Sequence, residues 1–121
     1  MLLVVAASGP RAALGVVGGT ASTTGAVSTT TLGAPTSLTA TGGLSVVLQW
    51  TITSSAYATG YDVLRGTSSG GPYTKITSVT PRTASSYTDA PPLPGTYYYV
   101  LQSVYQNWRS VNSNQVSALF V

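Results

Sequence analysis

The stretch Val46-Val47-Leu48-Gln49-Trp50 places Val46, Leu48 and Trp50 on one face at a period of two. That is the pattern of a β-strand with one buried side. Trp50 is the largest apolar group on that face and the natural centre of a small core. The alternation returns downstream: Tyr61-Asp62-Val63-Leu64-Arg65 points Tyr61 and Val63 inward, and residues 96–105 put Tyr97, Tyr99 and Leu101 on one face with Tyr98 and Val100 on the other. Shorter strands are expected at residues 35–40, 73–77, 86–89 and 114–121, the last ending at Val121. Turns separate them at Gly42-Gly43, in the Ser/Gly/Pro cluster 66–72, at the corner Pro91-Pro92-Leu93-Pro94-Gly95, and in a polar loop at 107–113 around Trp108. About seven strands at spacings of roughly 8 to 12 residues predict an all-β sandwich without helices. Its core is assigned to Trp50, Tyr61, Tyr87, Tyr97 and Tyr99.

Composition narrows the chemistry. The 121 residues suffice for one domain with a modest core. The chain has no Cys and no His, which excludes thiol chemistry, imidazole catalysis and the usual zinc sites, and removes the disulfide staple of many small secreted domains. Charged residues make up 6%, against roughly 25% in an ordinary globular chain. Net charge +3 comes from Arg11, Arg65, Lys75, Arg82 and Arg109 against Asp62 and Asp89. The five cations are scattered, whereas a nucleic-acid partner would call for a basic stripe. A surface of Ser, Thr, Gly, Asn, Gln and Tyr fits the extracellular space, a cell surface or a packed polymer.

Residues 1–33 differ from the rest. Two apolar runs, residues 1–7 and 12–17, are separated by Ser8-Gly9-Pro10-Arg11. Neither approaches the roughly 20 residues that a membrane-crossing helix needs, and no basic residue precedes the first as a secretory signal would have it. Residues 20–33 are uncharged, low in complexity and rich in Thr. Alone in water such a segment buries too little apolar area to offset its chain entropy.

Residues 34–121 carry a set of pieces in a telling order: Ala34-Pro35 before Leu38-Thr39-Ala40; Val46-x-Leu48-x-Trp50; Tyr61-x-Val63-x-Arg65 before a Gly-rich turn; Tyr87-x-Asp89; Gly95-Thr96-Tyr97-x-Tyr99-x-Leu101; and Ser113-Asn114 leading into Val116-Ser117-Ala118. Together they resemble a fibronectin type III domain of the kind found in bacterial secreted and surface proteins. The resemblance implies a seven-stranded, immunoglobulin-like Greek-key sandwich with Trp50 in its core. It also implies that Tyr97 is the corner tyrosine, its hydroxyl tied to nearby backbone. Gln102 and Ser103 are more polar than a strand core needs. The integrin-binding tripeptide of some members is absent, because Thr67 and not Asp follows Arg65-Gly66. The N-terminal segment lies outside the resemblance.

No catalytic constellation emerges. Asp62 and Asp89 are the only carboxylates. The first is expected as a solvated strand residue and the second as a turn cap. No His base serves the many hydroxyls, no loop has acids enough for calcium, and no glycine loop ends in Lys before Ser or Thr. A non-enzyme without metal or cofactor is expected. Tyr57, Tyr73, Tyr98, Tyr105 and Trp108 have no obvious core slot and could anchor a partner or stack on a sugar.

The scarcity of charge leaves sheet edges unguarded, and the β-prone N-terminal segment is suited to adding to a neighbour's edge. Repeated head-to-tail, such addition gives an open filament. The expectation is therefore an extracellular, pilus-like homopolymer whose subunits join through residues 1–33. Its candidate interface residues are Leu2, Val4, Leu14, Val16, Tyr98, Tyr105 and Trp108. The alternatives are a monomeric surface module that binds glycans or other surface proteins, with Trp108 and Tyr105 as stacking platforms, and a spacer of a larger secreted protein.

Overall fold

The alternating segments become strands because each has one row of β-branched or aromatic residues to bury and one row of polar residues to leave in water. The computed structural model describes residues 31–121. The N-terminal segment before Thr31, with Leu2, Val4, Leu14 and Val16, lies outside the described residues. Eight strands follow in order: β1 (Thr36–Thr41), β2 (Val46–Thr51), β3 (Gly60–Gly66), β4 (Thr74–Val79), β5 (Ser86–Asp89), β6 (Gly95–Tyr105), β7 (Trp108–Arg109) and β8 (Val116–Phe120). They form two antiparallel sheets. One has the order β1-β2-β5; the other runs β4-β3-β6 and continues onto β7 and β8 along the far edge of β6.

The inward rows meet in a core of Leu38, Val46, Leu48 and Trp50 from the first sheet and Tyr61, Val63, Tyr97, Tyr99, Leu101 and Ala118 from the second. Burying each large side chain contributes about 1.5–3 kcal/mol. Trp50 and Tyr61 meet edge-on, with ring centroids 5.5 Å apart. The Trp50 indole N–H has no hydrogen-bond partner. Tyr87 is only half-buried against this cluster, because β5 is the edge strand of the smaller sheet.

One side of the sandwich is sewn shut. The Asn114 amide copies a peptide group: its Nδ2 donates to the Leu38 carbonyl at 2.9 Å, and its Oδ1 accepts from the Leu38 N–H at 2.9 Å. Further along, the Gly43 N–H donates to the Leu119 carbonyl and the Val121 N–H to the Gly43 carbonyl, both at 2.9 Å. Gly42 must be glycine here, since a Cβ would lie 2.2 Å from the Leu119 oxygen. The edges of β1 and β8 thus seal each other.

The departures from the sequence reading have local causes. The eighth strand is β7, inside the expected loop 107–113. Gln106, at a φ of 52°, turns the chain tightly enough to pair Tyr105 with Trp108. The last strand starts at Val116, not at residue 114, because Asn114 and Gln115 turn their side chains to β1 and to the β3–β4 turn. Tyr73 lies before β4: its ring packs over Gly66, and its hydroxyl donates to Gln115. Leu32 and Gly33, grouped by sequence with the N-terminal segment, pack with the sandwich.

Candidate functional site

The end of the sandwich where the chain enters gathers most of the unassigned aromatic residues. Leu32 is buried there. Both polar groups of Gly33 are fixed: its N–H donates to Ser55 Oγ at 2.9 Å, and its carbonyl accepts from Thr53 Oγ1 and Ser103 Oγ, each at 2.6 Å. Ser103, a polar misfit for a core strand by sequence, is fully buried because Gly33 gives its hydroxyl an acceptor. Two residues beyond Ser103 and Ser55 stand Tyr105 and Tyr57. Tyr57 meets Tyr105 edge-on at 5.3 Å and stacks on Trp108 at 6.1 Å with 25° between the planes. The β6–β7 hairpin supplies two rings, and the β2–β3 loop lays the third between them. All three are half-buried. The Tyr57 hydroxyl is enclosed without a partner.

Of the candidate interface residues, Tyr105 and Trp108 come together, joined by Tyr57. Tyr98 does not join them. It pairs with Gly66 and Ser117 at the opposite end of β6, on the outer face of the larger sheet.

Both carboxylates correct the sequence expectation. Asp62 is not solvated: it is 4% exposed, accepting from Arg109 Nε at 2.7 Å and Ser78 Oγ at 2.8 Å, with Lys75 Nζ 3.7 Å away. Asp89 does not cap a turn. Its Oδ2 takes the Arg65 guanidinium at 2.8 Å and the Tyr99 hydroxyl at 2.7 Å on the core side of the sheet. The two acids therefore serve separate ion pairs. Burial, reinforced by the Asp89 carboxylate, pushes the Tyr99 hydroxyl far above its ordinary pKa of 10.0, and burial also raises that of Tyr61. Tyr61 accepts from the Thr53 N–H at 2.9 Å and donates to the Arg82 carbonyl at 2.6 Å, tying the two loops that flank the entry point. Among the described residues no group of three or more acidic side chains is placed to hold a metal ion.

A solved Fn3-like protein from Clostridium thermocellum superimposes with a TM-score of 0.64 at 32% identity, over 76% of this chain and 96% of that one. The chain belongs to the fibronectin type III (Fn3) family. The Fn3 domains of chicken CNTN1 show the same fold at 16% identity and a TM-score of 0.60, over 75% of this chain and 34% of theirs. The pectate lyase Pel3 from Pectobacterium carotovorum contains a similar module at 26% identity and a TM-score of 0.57, over 69% of this chain and 26% of the enzyme. No protein-family model and no curated protein sequence matches. The Fn3 corner tyrosine is in place: the Tyr97 hydroxyl donates to the Leu93 carbonyl at 2.7 Å. No helix among the described residues is long and apolar enough to cross a membrane.

Proposed function

We propose that this Fn3 chain is a non-catalytic structural subunit of an extracellular, pilus-like homopolymer, in which the N-terminal segment of one copy adds to the sheet of the next. The observation that carries this reading is the anchored entry at Leu32-Gly33. It fixes where the thirty residues before Thr31, with Arg11 their one charged side chain, join a sandwich that already holds its own eight strands and core. The strands and core named above all lie within residues 31–121. The test compares the full chain with residues 31–121 by sedimentation velocity. Concentration-dependent polymers from the full chain and monomers from the shortened one support the reading. Identical sedimentation of the two refutes it.

The stacked Tyr57, Trp108 and Tyr105 rings favour a second reading, a module that binds polysaccharide at its loop end, and the similar module within a pectate lyase agrees with it. Its test is retention of the full chain on immobilised pectin. Retention lost in Trp108→Ala supports it, and no retention of the wild type ends it.

A further inference from the structure

Antiparallel pairing fixes which backbone groups of an edge strand face outward. The Trp50 N–H donates to the Ser85 carbonyl at 3.0 Å, so Trp50 and Ser85 are a hydrogen-bonded pair. In the β2–β5 register, Leu48 with Tyr87 and Val46 with Asp89 are pairs of the same kind. Ser86 and Thr88 then turn their N–H and carbonyl groups away from β2. Their side chains are exposed, and the side chains of β5 that point inward belong to Tyr87 and Asp89.

The other edges of the described sandwich are guarded. β1 carries a bulge and is capped by the Asn114 amide. β8 is bridged to Gly43. β7 is two residues long, and β4 bears Lys75, half exposed. Charge, bulges and short length all discourage strand addition. β5 has no bulge, no cover and no outward charge: its one charged residue, Asp89, points inward and is paired with Arg65, and its outer row is hydroxylated.

We infer that the outward edge of β5, at Ser86 and Thr88, is the acceptor for the Thr/Ser-rich residues 20–30 of a second copy. This rests on the filament reading above and names its docking edge. The occupant is argued from three features. The described chain enters the sandwich, at Leu32-Gly33, at the end where β5 begins: Arg82, four residues before Ser86, donates to the Thr53 carbonyl beside Gly33. Residues 20–30 are uncharged, like the edge they meet. They are also rich in Thr and Ser, which suits a strand that faces water on one side.

Thr88→Pro tests the edge. It removes an outward N–H that β2 does not use, a position where an edge strand tolerates proline. Thr88→Lys is the second acceptor variant and puts a charge on the same edge. A donor variant carries Thr23→Pro and Val27→Pro in the full chain. By sedimentation velocity the wild type is expected to polymerise, and each variant alone to remain monomeric with an unchanged melting temperature. Mixing Thr88→Pro with the donor variant should restore one heterodimer and stop there, since only one donor and one acceptor remain intact. Polymers from both Thr88 variants, with the donor variant monomeric, would overturn the β5 assignment and leave the filament reading standing. A monomeric wild type would overturn both.

Discussion

Replacing Asn114 with Ala removes both hydrogen bonds that hold β1 to the opposite sheet. The Leu38 N–H and carbonyl lose their partners at 2.9 Å, while the Leu38 side chain stays buried in the core. At about 0.5–1.5 kcal/mol for each bond, the loss is about 1–3 kcal/mol. The Asn114 side is open to solvent, so water can reach the freed groups and the lower half of that range applies. For a domain of this size a loss of 1 kcal/mol lowers Tm by about 4–8 °C. Asn114→Asp keeps an acceptor for the Leu38 N–H but sets a negative charge against the Leu38 carbonyl, so it should cost more than Ala. Urea unfolding gives the free energies, and hydrogen exchange at the Leu38 amide reports the local opening. The reasoning is refuted if Asn114→Ala lies within about 0.5 kcal/mol of wild type with Leu38 still protected, or if Asp is better tolerated than Ala.

Arg109→Ala strips the 2.7 Å bond from buried Asp62 and leaves it Ser78 and a more distant Lys75; urea unfolding should show a loss of about 1.5–3 kcal/mol, relieved in part by adding Asp62→Asn. Burial holds Tyr61 and Tyr99 neutral beyond the ordinary 10.0. The unfolded chain then releases these protons first, so stability is full below about pH 10 and falls as pH rises above it. Melting curves from pH 8 to 12 should show this fall, shallower in Tyr99→Phe. Gln106→Gly relieves a positive φ of 52° at the β6–β7 turn and should raise stability by up to about 1 kcal/mol in the same unfolding assay.

The strands were legible where side chains alternate, because a period of two needs no knowledge of distant partners. β2, β3 and β6 stand within a residue or two of their expected ends. What the sequence concealed is long-range. Arg109 reaches Asp62 across 47 positions, and Asn114 reaches Leu38 across 76. No local pattern distinguishes an exposed Asp from one buried under an arginine two strands away, across β6. β7 was missed because Gln106-Asn107 is not among the glycine-containing pairs that announce a two-residue hairpin. The loop-end cluster was half legible. Tyr105 and Trp108 stood out for lacking a core slot, whereas Tyr57 joins them only because the β2–β3 loop folds back over the hairpin.

The most direct test of the account is sedimentation velocity of the full chain across a hundredfold range of concentration, beside residues 31–121. Polymers from the full chain, growing with concentration and absent from the shortened one, are the predicted result. A full chain that stays monomeric throughout contradicts the claim that these Fn3 domains are built to join.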